Sequence, residues 1–367
     1  MYISKKSKRR MPLKTLFLLI TVLIVLVVLI TGVVMLLTKP KDIKDILIKM
    51  PFSKDSAFLT VGKTVVYSDG DLLDCVDTSN NLIWKIQLYK AGLNLDSNDY
   101  VIALTGDNVI MALSPAGENL FAIQMNGAVK SVRLGKDKIA VYSEQIVNDK
   151  KLSYIVIFDL SGKSVYTVDV SGRYILDYGL DLKSGQLYVL ELDASGAAPI
   201  SRITTYRPET QSITGVKELE DQLIERVIYD DGYIYTLGTN RLSVYTTLNS
   251  SPKEILVYGW IPEDLSTAGN AKFVYVPSKD SAEIDVARII SMSGDETKLN
   301  LAPHVFKIIY DGDKIYCFAT DAIFVYTGDG RFLRSYSLPF SIEGVKRAMD
   351  AYVFLSASDG VYLLPLP

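Results

Sequence analysis

Histidine is nearly absent from this chain: His304 is the only one in 367 residues. One imidazole cannot build a zinc site without several thiols or carboxylates. Nor can it serve a nucleophilic triad, for which a motif such as G-x-S-x-G is also missing. His304 therefore reads as a structural or surface residue. Cysteine is almost as scarce. Cys75 and Cys317 are too few for a disulfide framework. They fall in β-rich runs far apart in the chain and read as small, buried, unpaired apolar residues. No cysteine stands near the end of the amino-terminal apolar run, which excludes a lipoprotein anchor. Beyond residue 40 no long stretch repeats apolar residues at helical spacing, which excludes a helical bundle.

Charge is missing altogether from residues 15–38, "TLFLLITVLIVLVVLITGVVMLLT". As a helix this run is about 36 Å long, enough to cross a hydrocarbon core of about 30 Å with some tilt. In lipid a lone strand cannot satisfy its backbone, so a helix is predicted despite the β-branched content. Acid is missing from residues 1–14, where Lys5, Lys6, Lys8, Arg9, Arg10 and Lys14 stand. The positive-inside rule places this tail in the cytoplasm, with the bilayer engaged through residues 15–38 and the remainder, 39–367, outside. A cleavable signal peptide is the competing reading, but its apolar region is normally shorter and followed by a small-x-small site, which is not found here. A tail of this length carries no output domain, which weighs against a transmembrane sensor.

The exported part is acidic. The chain has 39 Lys+Arg and 42 Asp+Glu; without the six basic residues of the tail the balance is 33 against 42, a net of −9. A general nucleic-acid surface is excluded on that ground.

What is present in quantity is β structure. Runs such as "TVVYS", "KIAVYS", "YIVIFDL", "QLYVLEL", "KIYCFA" and "AYVFLS" are separated by Gly, Asp, Asn and Ser, and tyrosine is used 23 times. One stretch recurs: "VDTSNNLIW", "LSPAGENLF", "FDLSGKSVY" and "YTGDGRFLR" align on Asn80, Gly117, Gly162 and Gly330. Three positions earlier stand Asp77, Ser114, Asp159 and Thr327. Four positions later stand Trp84, Phe121, Tyr166 and Arg334. A further copy pivots at Gly294, and two weaker ones fall near Glu209–Thr210 and Asn249–Ser250. A period near 40 with four strands per unit predicts an all-β propeller. The pivot is a hairpin residue with positive φ, and the Asp or Ser before it bonds back to the turn. The aromatic after it starts the outer strand and packs across the blade or onto its neighbour.

Seven pivots are followed by three more strands up to Pro367. The missing outer strand is supplied by "DIKDILIKM", residues 42–50, giving eight blades closed by strands from both ends; seven blades is the alternative. In its Asp, Gly-Lys, Trp frame the repeat resembles that of the quinoprotein-like superfamily, whose propellers are built on the pyrroloquinoline-quinone-type repeat. With one anchor helix, the chain looks most like membrane-anchored bacterial members of that superfamily. The resemblance covers the ectodomain by period and two or three blades by residue, with Trp84 alone holding the tryptophan position. It implies an eight-bladed fold, not a function.

The quinone dehydrogenases of that superfamily need a Ca²⁺ held by oxygens, a catalytic Asp and a Trp floor, and no such set is visible here. No cofactor or metal is expected. The turns at Asp69–Asp71, Asp230–Gly232, Asp311–Asp313 and Asp329–Gly330 invite calcium, but none continues into the D-x-D-x-D-G loop with its distal Glu. Asp-Gly is ordinary hairpin chemistry. Trp260, in "YGWIPED", is either a blade-edge packing residue or, with Tyr258, a stacking platform for a sugar or peptide. The expectation is a non-catalytic envelope scaffold or recognition module with a protein or cell-wall glycan partner. The alternative is a degenerate quinoprotein-like or glycan-acting enzyme.

Overall fold

The computed structural model describes residues 42–88, 93–220, 222–230, 233–266, 272–278, 283–349 and 351–367. The basic tail and the apolar run 15–38 lie outside them. Among the described residues no helix is long and apolar enough to cross a membrane. The chain divides into two compact units, residues 1–46 and 47–367. The described part of the first is one 3₁₀ turn, Ile43–Asp45.

The second unit is an eight-bladed β-propeller: eight four-stranded antiparallel sheets follow one another along the chain. Blade 1 starts at the inner strand Phe58–Val61, and the inner strands of blades 2 to 8 are Asn94–Ser97, Ala128–Leu134, Tyr174–Leu180, Ile224–Asp230, Trp260–Ser266, Val305–Asp311 and Ile342–Arg347. The seven-blade alternative is overturned. In blade 8 the order outward is Ile342–Arg347, Tyr352–Ala357, Gly360–Pro365 and then Ile48–Lys49. The last blade thus takes its outer strand from the other end of the chain.

That strand is shorter than residues 42–50. Ile48 pairs with Leu363 and Lys49 with Tyr362, and the Met50 amide donates to the Val361 carbonyl at 2.8 Å. Because Val361 turns its amide edge to this side, so do the alternate residues Leu363 and Pro365. Proline has no N–H to give, so the ladder ends there. Residues 43–45 close i→i+3 bonds instead, with Asp45 N donating to Asp42 O at 2.9 Å.

Second and third strands are buried on both faces, which is why they read as continuous apolar runs; Ile102–Thr105 is buried throughout. Outer strands such as Phe332–Ser337 are largely exposed. The core is therefore a ring of seams. One cluster joins Val66, Leu73 and Cys75 of blade 1 to Ile102 and Leu104 of blade 2. The seam between the ends of the chain joins Met50, Val65, Tyr67, Phe354 and Leu363, with the Phe52 ring 4.8 Å from both Phe58 and Tyr67.

Chain direction defines two faces. Inner strands run from the face bearing the blade-to-blade connections and second-to-third turns, here the connection face. They end at the face bearing the first-to-second and third-to-fourth turns, here the hairpin face. The strand Ile48–Lys49 starts at the hairpin face.

Candidate functional site

The recurring frame turns out to tie blades together. Asn80, Gly117, Gly162, Gly294 and Gly330 have φ of 64°, 82°, 83°, 87° and 87°, the left-handed region that favours Gly and Asn. Three residues earlier a side chain clamps the turn. Asp77 Oδ1 accepts from the amides of Ser79 and Asn81 at 2.7 and 2.9 Å, and Asp159 Oδ1 from those of Ser161 and Lys163 at 2.9 and 3.0 Å. Ser114, Ser291 and Thr327 accept from one amide each through their hydroxyls. The bond from the Asn81 side chain, and then that from its amide, hold the Asp77 carboxyl below its usual range; at Asp159 the Ser161 hydroxyl has the largest effect.

The aromatic four residues on reaches the next blade. Trp84 lies over Gly117, where a Cβ would sit 2.8 Å from the indole, and its Nε1 donates to Pro115 O at 3.1 Å. Phe121 covers Gly162 in the same way. Tyr166 lies 6.2 Å from Tyr206 of blade 4, ring to ring. Asn80 receives the last blade: its Nδ2 donates to Lys49 O at 2.6 Å. These residues hold the ring together.

Trp260 begins the inner strand of blade 6. It is half-buried against the core of blades 5 and 6, and the Arg288 guanidinium lies 5.1 Å from its ring centre. Arg288 is in turn held by Glu296 through two bonds of 2.7 Å. Trp260 is thus a packing residue. Tyr258, at the tip of the turn closed by Trp260 N to Val257 O, is 80% exposed. Cys75 and Cys317 are free and fully buried. His304 is exposed with φ 65°, its Nδ1 3.1 Å from Glu283 Oε1. Among the described residues no group of three or more His, Cys, Asp or Glu could hold a metal ion. Of the four acidic turns, residues 231 and 232 lie outside the described residues.

Hydrogen bonds and ion pairs link the inner strands of different blades. Asp264 of blade 6 accepts from Tyr310 N of blade 7 at 2.7 Å and from Arg347 of blade 8 at 2.6 Å. Glu263 pairs with Lys307 at 2.8 Å, and Asp177 with Arg133 at 3.1 Å.

The feature that sequence reasoning missed stands on the connection face. In blade 3 the second and third strands, Lys138–Val147 and Lys150–Asp159, have ten residues each, against six for Thr64–Asp69 in blade 1. Four extra residues lift the hairpin about 13 Å further out. Its tip, Asn148–Asp149, has φ of 49° and 61°, the pair of positive values a two-residue hairpin needs. Ile146 is 78% exposed on it, with Val147 beside it, and the start of the blade 4 inner strand exposes Tyr174 and Leu176 on the same face. Two clefts open here, one of about 740 Å³ lined by Asn126, Lys130, Glu144, Ile146 and Lys151, the other of about 570 Å³ lined by Arg173, Tyr174, Glu191 and Arg202. Glu144 is partly buried, which pushes its pKa up. Bonds from Lys151 at 2.7 Å and Tyr142 at 2.9 Å outweigh that and hold it below its usual range. Glu191 is paired with Arg173 at 2.9 Å. The signal in the sequence was "NDK", an Asn-Asp turn between two polar-tipped runs.

A family model described as a family of unknown function, DUF5711, matches residues 45–359. The chain belongs to that family. No curated protein matches it in sequence. Solved structures match by fold. The computationally designed Ika8 protein has a TM-score of 0.57 at 13% identity, over 86% of this chain and 98% of that one. BamB from Moraxella catarrhalis has a TM-score of 0.56 at 12% identity, over 87% and 99%. Apo AztD from Citrobacter koseri has a TM-score of 0.55 at 10% identity, over 85% and 92%. At these identities the likeness is one of fold.

Proposed function

We propose that this DUF5711 member is a membrane-anchored, extracytoplasmic recognition or scaffold module that holds a protein partner on its connection face without turning over a substrate. The observation that carries the reading is the blade 3 hairpin, which raises Ile146 and Val147 above the ring on the face where Tyr174 and Leu176 are also exposed. Exposure of several large apolar and aromatic side chains on one face, among charged residues, suits a protein-binding surface. The carboxylates beside it, Glu144 and Glu191, are tied up in ion pairs, which suits recognition better than proton transfer.

The anchor is read from the sequence: the charge-free run 15–38 behind six basic residues. Kinship with quinoprotein-like propellers is also proposed, on the Asp, Gly-Lys and aromatic frame whose aromatic docks on the next blade at Trp84 and Phe121. Protease added to intact protoplasts tests the topology. Removal of the propeller is expected, and a fully protected propeller would refute it.

A further inference from the structure

The seam after blade 4 lacks the aromatic plug found after blades 1 to 3. The residue paired with the third strand at the docking position is Trp84, Phe121 and Tyr166 in blades 1 to 3, opposite Cys75, Ala112 and Ile157. In blade 4 the left-handed pivot is Gln211, and the residue four beyond it, opposite Thr205, is Gly215. Leu248 of blade 5 packs there instead, 3.6 Å from where a Gly215 Cβ would stand, and beside the two a cleft of about 340 Å³ opens between blades 4 and 5 on the hairpin face. That lies at the small end of ligand-binding pockets, roughly 300–1,000 Å³.

The lining is a set of hydroxyls and amides. Thr214 Oγ1 lies 2.9 Å from Thr205 Oγ1 and 3.2 Å from Gln186 Oε1. Tyr229 also lines the cleft, and its hydroxyl is buried with no partner among the described residues. Burial, and then the charge of Asp181, keep that phenol well above its usual pKa, so it stays a donor. Asp181 itself is occupied: it accepts from Ser184 N at 2.9 Å and from the Ser184 hydroxyl. Arg207 lines the same cleft, and its exposed guanidinium has no bond or ion pair among the described residues. Glu209, two residues on, is taken by Lys138 at 2.8 Å.

A free cation, an unanswered buried donor and a row of neutral hydroxyls define a ligand class. We propose that the blade 4–5 cleft binds a small polyhydroxylated molecule carrying one anionic group, a sugar acid or a sugar phosphate. Arg207 takes the anion, in a geometry suited to carboxylate or phosphate alike. Tyr229 and Thr214 take ring hydroxyls. The site lies on the face opposite the blade 3 hairpin and does not depend on the protein-partner reading.

The test is calorimetric titration of the full-length protein in detergent micelles with glucuronate, glucose 6-phosphate and glucose, which share a ring and differ in charge. At least one anionic probe is expected to bind with a Kd under about 1 mM, and glucose at least about tenfold more weakly. The tighter of the two anions identifies the carboxylate or phosphate source. Arg207→Gln is expected to weaken the anion about tenfold or more, and Gly215→Tyr, which puts a ring into the lining of the cleft, to abolish binding. Absence of binding by both anions at about 10 mM overturns the proposal. So does equal binding of glucose, or an Arg207→Gln variant that binds as tightly as wild type. Should Gly215→Tyr fail to fold, Arg207→Gln decides alone, because that side chain is exposed and supports nothing else.

Discussion

Replacing Gly117 with alanine strikes both functions of a pivot. At φ 82° the backbone is in a region that alanine adopts at a cost of about 1 kcal/mol. The new Cβ would also stand 2.8, 3.1 and 3.1 Å from Trp84 Cδ2, Cε2 and Cγ. The indole cannot simply retreat, because its Nε1 donates to Pro115 O at 3.1 Å. Moving it gives up that bond, worth about 1 kcal/mol net, and part of a half-buried aromatic's packing, about 1 kcal/mol more. The total is about 2–4 kcal/mol. Gly70 is the control. It has φ 64°, and nothing lies within 4 Å of where its Cβ would stand, so its alanine variant is expected to lose only about 1 kcal/mol. Urea unfolding of residues 41–367, followed by circular dichroism, separates the two. In a Trp84→Ala background the cost of Gly117→Ala is expected to fall to that of the control, a coupling of about 1–2 kcal/mol. Equal losses for Gly117→Ala and Gly70→Ala, or a cost unchanged by removing Trp84, would refute seam docking.

Other expectations follow from the same contacts. Deleting residues 41–51 removes the outer strand of blade 8 and the 3%-exposed Met50; Met50→Ala alone is expected to lose about 2–4 kcal/mol. An unchanged melting temperature for residues 52–367 would show that this strand does not close the ring. Burial raises the pKa of both thiols, at Cys75 against an opposing bond from Thr64. Neither should react with a thiol reagent until the fold is opened by denaturant, and prompt labelling of the native protein would contradict their burial. The turn carboxyls of Asp77, Asp159 and Asp329 titrate lower folded than unfolded. Their contribution to stability is complete above the unfolded carboxyl pKa, about 3.9, and is lost as pH falls through the folded values. Asp159→Asn should therefore be less stable than wild type at neutral pH by a margin that shrinks below about pH 4; a margin independent of pH would rule out the charge as its source.

How much of this was legible depends on the range of each interaction. The pivots at Asn80, Gly117, Gly162, Gly294 and Gly330 could be read because positive φ restricts residue type at a fixed place in each unit. The blade 4 pivot could be placed only near Glu209–Thr210, because it is Gln211, which follows the 3₁₀ turn Pro208–Thr210 and carries no compositional mark. Asp77 and Asp159 clamp their own turns within four residues, so their role was local and visible. The partner of Trp84 was not, since Gly117 becomes its neighbour only once the blades are ringed. Trp260 had two open readings because Arg288, 28 residues away, was not visible as its cover. The blade 3 hairpin was read too short: "EQIVNDKKL" is polar and exposed at its tip, and such residues carry little strand signal.

The claim that the connection face is the working surface can be tested in living cells. A photo-crosslinking side chain placed at Ile146 or at Tyr174 is expected to give one discrete protein adduct in the envelope. The same probe at Lys63, exposed on the hairpin face, should give none. No adduct from Ile146 and Tyr174, or the same adducts from Lys63, would contradict the assignment.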